Sequence, residues 1–454
     1  MTLYVIGFMV LFLLVLASGI PVGFGLGILA FGIMTAYLGF DAALSTGVSK
    51  AYASLDTSTL VAIPLFILAA QLIAESGMGK RLFGAAKAFL GRYRSGLGPA
   101  TVVSSGIFSA MTGSSFVSAS TMGLIAIPEL RKARYPDSII AAAISAGGSL
   151  GSVIPPSLVM IIYGYLTDES VGRLFMAGMI PGIVLIVLYS VALMVVTNIS
   201  LKRRDRQDVA QQGLVAAEGP MENATTVTAA VAEEAPMGKL TALKEAFWGL
   251  MAPAIILAGI YLGIFTASEA AAVAVVYCAA VGLWIYRTLT LKKLWAILMS
   301  SANISAMVAG VVIGGYVLGF AVVLGRVPQQ ILELIVAQNF SSITLFFIVN
   351  LILFVMGMFL ESLSLIYLAI PLLYPVVLHM GWDNIWFAVI LLINVNLGLI
   401  TPPMGGVLFI ISQIGAIPIN TVIKGAILPV AVLLVLLALL LVFPQMATWL
   451  PSMM

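Results

Sequence analysis

The chain of 454 residues is 62% hydrophobic and only 9% charged, with a formal net charge of +3. Soluble domains carry roughly 25% charged residues, and apolar runs of about 20 residues are what a helix needs to cross a bilayer. The composition therefore excludes a soluble domain and reads as an all-α polytopic membrane protein; the continuously apolar runs also argue against a barrel, whose strands alternate over about ten residues.

In chain order, apolar spans fall near 3–20, 21–39 and 59–78. The first lacks a basic start and a small-residue cleavage site, so it reads as a retained helix rather than a signal peptide. The next apolar stretch, 97–128, lies between Arg92 and Arg94 on one flank and Arg131, Lys132 and Arg134 on the other. One crossing would put these basic clusters on opposite sides of the membrane. Two crossings would leave arms of about 15 residues, or about 22 Å, against a hydrocarbon core of about 30 Å. A re-entrant hairpin that enters and returns on one side satisfies both constraints. A span at 136–166 follows, broken by Gly147, Gly148, Ser149, Gly151 and Ser152 ahead of Pro155 and Pro156, and then a span at 174–199.

The only long polar stretch runs from Leu201 to about Ala246 and opens with the basic run Lys202–Arg206. It has no helical apolar face and reads as a flexible cytoplasmic linker over 200–246, with Lys239–Phe247 as an interfacial helix leading into the next span. Beyond it lie spans at 247–265, 268–286 and 295–324, a second hairpin at 339–378, a broken span at 384–415 and a last span at 425–443. With a periplasmic N-terminus and both hairpins re-entrant, 18 of the 21 basic residues face the cytoplasm, leaving Lys50, Arg173 and Arg326 outside. The positive-inside rule favours this orientation over its inverse.

The interruptions come in pairs. Thr112, Gly113, Ser114, Ser115 and Ser118 precede Ile127-Pro128, while Gly357, Glu361, Ser362 and Ser364 precede Ile370-Pro371, 243 residues later. The Pro155-Pro156 break is matched after 247 residues by Pro402-Pro403, preceded by Asn394, Asn396, Gly398 and Thr401. The chain thus reads as two repeats, 1–199 and 247–454, of five spans each, with one hairpin and one broken helix per repeat. Five spans per half make the second repeat inverted, so one hairpin opens inward and the other outward. Paired interruptions in corresponding places of two apolar halves point to a transporter's binding site.

Several motifs together carry a family resemblance: Gly263 to Val273, with Thr266, Ser268 and Glu269 at its centre; Ile63-Pro64-Leu65-Phe66-Ile67; the Thr112–Ser115 block; both Pro-Pro breaks; and the Gly357–Pro371 block. As a set they make the chain similar to the large membrane subunit of the tripartite ATP-independent periplasmic (TRAP) transporters, over nearly its whole length apart from the linker. Glu361 stands where many relatives have Asp, and Ala267 where Pro is common. The resemblance implies a multi-pass protein of the bacterial inner membrane that imports a small organic anion, such as a C4-dicarboxylate, another carboxylic acid or a sialic acid. It further implies ion coupling, a small four-helix membrane subunit and a soluble periplasmic binding protein as partners, and an elevator motion.

The chemistry of the breaks suits ions and carboxylates independently of the resemblance. Carbonyls and hydroxyls freed where a helix unwinds replace a sodium hydration shell, and half-helix N-termini present N–H groups to an anion. One sodium site is expected in the first half from Thr112, Gly113, Ser114, Ser115, Ser149, Gly151 and Ser152, and one in the second from Gly357, Glu361, Ser362, Asn396, Gly398 and Thr401. The solute is expected between the hairpin tips, near Ser115, Ser118, Pro155, Pro156, Ser362, Ser364, Pro402 and Pro403. The bland alternative, that Gly and Ser merely permit close helix packing, accounts for single residues better than for paired clusters beside Pro-Pro. A carboxylate at mid-membrane depth, as Glu361 would be, is costly and is a functional candidate.

Other polar residues read as structural. Thr266 and Glu269 make a capping-box pattern, Glu75 lies at a cytoplasmic helix end, and His379 falls in an outer loop. The lone Cys278 reads as packing and leaves no intramolecular disulfide or multi-cysteine metal site. One histidine and no Gly-x-Gly-Asp motif argue against an intramembrane protease, and no P-loop is present for ATP hydrolysis. The reading is therefore a non-enzymatic, sodium-coupled carrier without an organic cofactor or nucleic-acid partner, in which a transport domain of 97–166 and 339–415 moves against a scaffold of the other spans. The alternatives are a sodium- or proton-coupled carrier of another family, or a pore gated by its hairpins.

Overall fold

The computed structural model describes residues 20–93, 95–217, 238–338 and 340–453, without the side chains of 58, 59, 203–217 and 334. Apart from Ile20, the expected span at 3–20 lies outside these residues, as do Arg94, Asn339 and the stretch 218–237. All regular structure among the described residues is helical: α1 (Val22–Leu38), α2 (Phe40–Ala53), α3 (Ala62–Glu75), α4 (Met78–Leu90), α5 (Leu97–Thr112), α6 (Ser115–Lys132), α7 (Asp137–Val153), α8 (Leu158–Thr167) and α9 (Val171–Ala217) in the first half. The second half continues with α10 (Lys239–Tyr261), α11 (Ala267–Ala280), α12 (Leu291–Leu324), α13 (Val327–Gln338), α14 (Ser342–Phe359), α15 (Ser362–His379), α16 (Asn384–Leu399), α17 (Gly406–Gly415), α18 (Ile419–Val442) and the short α19 (Gln445–Thr448). Eight of the described helical spans are long and apolar enough to cross a bilayer, or nine if α3 and α4, bent by 62°, count as one.

Local sequence explains where these helices start and stop. Asp383 caps α16 by accepting from Trp386 N (2.8 Å), and Ser341 caps α14 by accepting from Thr344 N (3.2 Å). Thr266 and Glu269 form the full capping box at the start of α11: the Glu269 carboxylate accepts from Thr266 N at 2.8 Å and Thr266 Oγ1 from Glu269 N at 3.3 Å. Such a cap satisfies amides that the first helical turn leaves unpaired. α7 ends at Val153, two residues before Pro155, and α16 ends at Leu399, three before Pro402. Proline lacks an amide hydrogen and disfavours helix in the residue before it. Both Pro-Pro bonds are cis.

Helix enters the 200–246 region, read as a flexible linker, from both ends, and 218–237 lies outside the described residues. α9 continues to Ala217, and α10 starts at Lys239 and runs unbroken into the next span, without a separate interfacial helix over Lys239–Phe247. An existing helix needs no apolar face to be extended, because the costly nucleation step is already complete and Ala, Gln, Leu and Arg are good helix formers. α2, α4 and α13 are helices that apolar periodicity left unmarked.

Close backbone approaches hold the layers together. α1 lies along α12, where a Cβ on Gly23 would fall 2.5 Å from Gly310. α5 and α6 both pack on α7, α14 packs on α16, and α18 lies against α7. α3 pairs with α11, and α12 with α15. The first hairpin's arms and the second hairpin's first arm thereby each pack on the broken helix of their own half.

Candidate functional site

The first tip is the two-residue turn between α5 and α6. Gly113 ends α5 with a left-handed backbone (φ 60°), and a Cβ there would lie 2.6 Å from the Pro156 carbonyl. Only glycine joins that conformation to that proximity without strain. Ser114 then caps α6. Behind the tip, Ser118 binds both Ser109 (3.0 Å) and Thr112 (3.1 Å), a buried hydroxyl cluster that ties the two arms together. A Cβ on Gly151 would sit 2.5 to 2.6 Å from the Ser114–Ser115 backbone, so the tip is seated directly on the last turn of α7.

The second tip repeats this seating with different chemistry. Gly398 on α16 abuts the Gly357 carbonyl on α14, and Met404 N donates to Met358 O (3.2 Å). By length and composition α14 and α15 each pass as a membrane crossing; their junction at Leu360–Glu361 nevertheless lies against the broken helix. Asn394 donates to Asn350 Oδ1 (2.6 Å), while its own Oδ1 is buried without a partner.

The two breaks meet at Asn396. Its Oδ1 accepts from Ser152 (2.9 Å) and from Ser115 (3.5 Å), and Ser115 and Ser152 are 3.1 Å apart. One side chain of the second half thus engages the tip and the break of the first, and its Nδ2 donates to Leu392 O (2.7 Å). Burial of all three residues makes these hydrogen bonds costly to lose.

A cavity of about 210 Å³ opens beside this junction. Thr112, Gly113, Ser114, Ser115 and Ser152 line it from the first half, and Glu361 and Ser362 from the second. Its far wall is Ile67, Ala70 and Gln71 of α3 with Ile304 and Val308 of α12. The helices α6 and α15 both begin at this cavity, so two positive dipole ends meet there. Such an arrangement suits a small polar or anionic solute.

Not every expected site residue lies at this cavity. Ser149 and Gly151 sit behind the first tip, with the Ser149 hydroxyl 2.8 Å from Tyr189 OH on α9. Ser118 is used within the hairpin, and Ser364 is buried without a hydrogen-bond partner. Pro155 and Pro156 are buried behind the first tip, whereas Pro402 is half-buried and Pro403 exposed. Gly357 and Gly398 serve the backbone contact, Asn394 faces Asn350, and Thr401 donates to Leu397 O (2.6 Å). Cys278 is buried and free, and His379 is an exposed residue at the end of α15.

The site also contains residues that sequence reasoning passed over. Gln71 and Asn350 were visible as lone amides in apolar runs, and Ser109 as part of a small-residue helix. Ile304 and Val308 carry no signal of their own, since nothing local distinguishes them from other apolar positions of α12.

Comparison with known proteins agrees with this architecture. The tripartite ATP-independent periplasmic transporter family, DctM component, matches residues 9–446. The chain is 35% identical over 439 residues to the sialic acid TRAP transporter large permease protein SiaM of Vibrio cholerae, covering 96% of each chain. It is 32% identical to the sialic acid TRAP transporter permease protein SiaT of Haemophilus influenzae, over 98% of this chain and 68% of that one. It is 31% identical to the C4-dicarboxylate TRAP transporter large permease protein DctM of Pseudomonas aeruginosa, over 89% and 88%. Matches of this extent show the family: the chain belongs to the TRAP transporter large permease family, the DctM component, and is a multi-pass membrane transport protein.

Proposed function

We propose that this chain is the solute-carrying membrane subunit of a sodium-coupled importer of a small organic anion, working with a small four-helix membrane subunit and a periplasmic binding protein. The observation that carries the proposal is the cavity lined jointly by Thr112–Ser115 and by Glu361–Ser362. The relatives' sialic acid and C4-dicarboxylate substrates bring the solute class to carboxylates. Sodium coupling is supported by buried oxygens near the breaks that lack hydrogen-bond partners, Asn394 Oδ1 and Ser364 Oγ among them. With the C-terminal carbonyls of α7 and α16 where those helices stop, they are oxygens of the kind that replace a cation's water.

Alternating access follows from a body that slides as one piece. The hairpins and broken helices, α5–α8 and α14–α17, are its core. Two helices outside the 97–166 and 339–415 ranges are bonded to that core. Tyr189 of α9 binds Ser149, and Leu440 O of α18 accepts from Trp386 (2.8 Å). We assign the apolar part of α9 and all of α18 to the moving body, against a scaffold built on α1, α3, α11 and α12. The inverted repeat then supplies two related facing states.

The test is uptake into proteoliposomes containing the full chain, its small membrane subunit and the binding protein. Saturable uptake of labelled N-acetylneuraminate or succinate that requires sodium is the expected result. Non-saturable flux without a sodium requirement would replace the carrier by a pore. For the motion, a cross-link between Ser114→Cys and Val308→Cys in a Cys278→Ala background should form in one facing state alone and arrest transport. Equal cross-linking in both states with uptake intact removes the elevator. For topology, Arg92→Cys and Arg134→Cys, tested singly, should be labelled only from the cytoplasmic side.

A further inference from the structure

A second cavity, of about 240 Å³, lies where the Ser342 end of α14 and the start of α16 meet the end of α18. Three rings build its walls: Phe346 lies 5.7 Å from Trp386 and 6.2 Å from Trp382, and the two tryptophans are 5.9 Å apart. A tryptophan that only marks a membrane interface keeps one end apolar and the other wet. Here both indole N–H groups are spent on protein, Trp382 Nε1 on Ser342 Oγ (2.9 Å) and Trp386 Nε1 on Leu440 O (2.8 Å). Phe346 and Trp386 are only 3% and 6% exposed, so the rings are fixed as the lining of a recess. Asp383 is exposed and is the one ionisable residue among the described residues that line it. Its Oδ1 caps α16 by accepting from Trp386 N (2.8 Å), which uses one of the roughly four acceptor positions of a carboxylate.

Aromatic faces and a carboxylate both attract a cation. An alkylammonium suits the pair, because its carbon side packs on the rings while its N–H groups donate to the carboxylate. Two further features describe the rest of the ligand. The Ser342 hydroxyl accepts from Trp382 and keeps its own hydrogen to donate to a phosphate. From the edge of the cavity, Ile343, Phe347 and Leu351 follow one another at intervals of four along one face of α14 and are 63%, 61% and 62% exposed. Because α14 is long and apolar enough to cross a bilayer, that ridge leads from its polar end into hydrocarbon. Carboxylate and rings, then a hydroxyl, then an aliphatic ridge is the order of ammonium, phosphate and acyl chain in an aminophospholipid.

We infer that this recess is a binding site for phosphatidylethanolamine, with the ammonium between Asp383 and the rings of Phe346, Trp382 and Trp386 and an acyl chain along α14. The inference stands apart from the carrier reading and from the cavity at the hairpin tips. Phosphatidylglycerol lacks the ammonium and brings a net negative charge toward Asp383, so it is disfavoured. Free ethanolamine has the ammonium but no chain to lie on the ridge of α14.

The test is photolabelling of the purified full chain with its small membrane subunit in dodecyl maltoside micelles. The probe is phosphatidylethanolamine with a diazirine in one acyl chain, and labelled peptides are mapped by mass spectrometry. Label is expected in the peptides containing Ile343–Phe347 and Leu441–Pro444. Unlabelled phosphatidylethanolamine should compete there at least about threefold more effectively than phosphatidylglycerol with the same chains. Asp383→Asn removes the charge and keeps a good helix cap, so it should bring the two competitors to within about twofold of each other with the thermal unfolding midpoint unchanged. Trp382→Leu should lower labelling of these peptides at least about threefold. Absence of label from both peptides, or equal competition by the two lipids on the wild-type chain, overturns the inference whatever the variants do. A preference that survives in folded Asp383→Asn also overturns it. Displacement by free ethanolamine as effective as by the lipid replaces the lipid site with one for a soluble amine.

Discussion

The two hairpin–break units share an architecture and differ in the groups that hold it. In the first, hydroxyls do the tying: Ser109, Thr112 and Ser118 join the arms, and Ser115 reaches Ser152 in the break. In the second, the Gly357–Gly398 backbone contact and the Asn350–Asn394 amide pair take their place, and a carboxylate, Glu361, stands at the tip. The shared seating is thus kept by close backbone approach, the property least sensitive to side-chain identity. The side chains are then free to diverge, and the neutral tip and the acidic tip give one cavity two chemically distinct ends.

The strongest way to break the comparison is to fill the seats. Gly151→Val and Gly398→Val each drive a side chain into the backbone of the facing tip. Both should destabilise the protein by about 3 kcal/mol or more, the upper range of overpacking, and should abolish transport; thermal unfolding in detergent checks it. If one is tolerated and the other is not, the two tips are not seated alike.

A smaller effect is expected where the units meet. Asn396→Ala strips Ser152 of its acceptor in a buried site, which costs about 1 to 3 kcal/mol. Under the proposed sodium coupling, half-saturating sodium should rise by about tenfold, while docking of the binding protein is unchanged. Thr401→Ala should shift sodium in the same direction by less, because that hydroxyl is spent on Leu397 O. An unchanged sodium response in both variants would place the ion elsewhere.

Ser149→Ala sharpens the comparison at the outer face of the first unit. It leaves Tyr189 OH buried without its partner, at a cost of about 1 kcal/mol. Adding Tyr189→Phe should restore most of that stability, since replacing both partners avoids the orphaned group. A double variant no more stable than Ser149→Ala would show that the hydroxyl pair does not link α7 to α9.

The smallest effect lies at the basic end of the first hairpin, outside the apolar spans. Hydrogen bonds from Lys87 and then Lys132 hold the Glu129 carboxyl below its ordinary range, against a smaller opposing effect of burial. A group depressed on folding contributes its stability above the ordinary glutamate pKa, about 4.3, and loses it as pH falls through the lowered value. Both lysines are largely exposed, so solvent screening keeps the contribution to a few tenths of a kcal/mol. Glu129→Gln should be less stable than wild type at neutral pH, and the gap should close in acid. A gap constant down to the most acid conditions would exclude the ion pair as its source. The second hairpin lacks a described counterpart to this ion-paired base.

Sequence alone determined the membrane class, and the described helices run within a few residues of the bounds read for 97–128, 136–166, 339–378 and 384–415. These features are local: a span is defined by apolar length, and a break by Pro and Gly in a few consecutive positions. The capping box at Thr266 and Glu269 was legible for the same reason. The extension of α9 to Ala217 was not, because continuing a helix requires propensity rather than an apolar face. Tertiary structure alone decided that Asn396 would hold Ser152 across the two halves, that Ser149 would turn to Tyr189 and away from the cavity, and that Ile304 and Val308 would close its far wall. Each of these depends on how whole helices rotate and pack against partners from 40 to 244 residues away in the two hydrogen-bonded cases, and the rotation of a nearly all-apolar helix leaves no amphipathic stripe for the sequence to display.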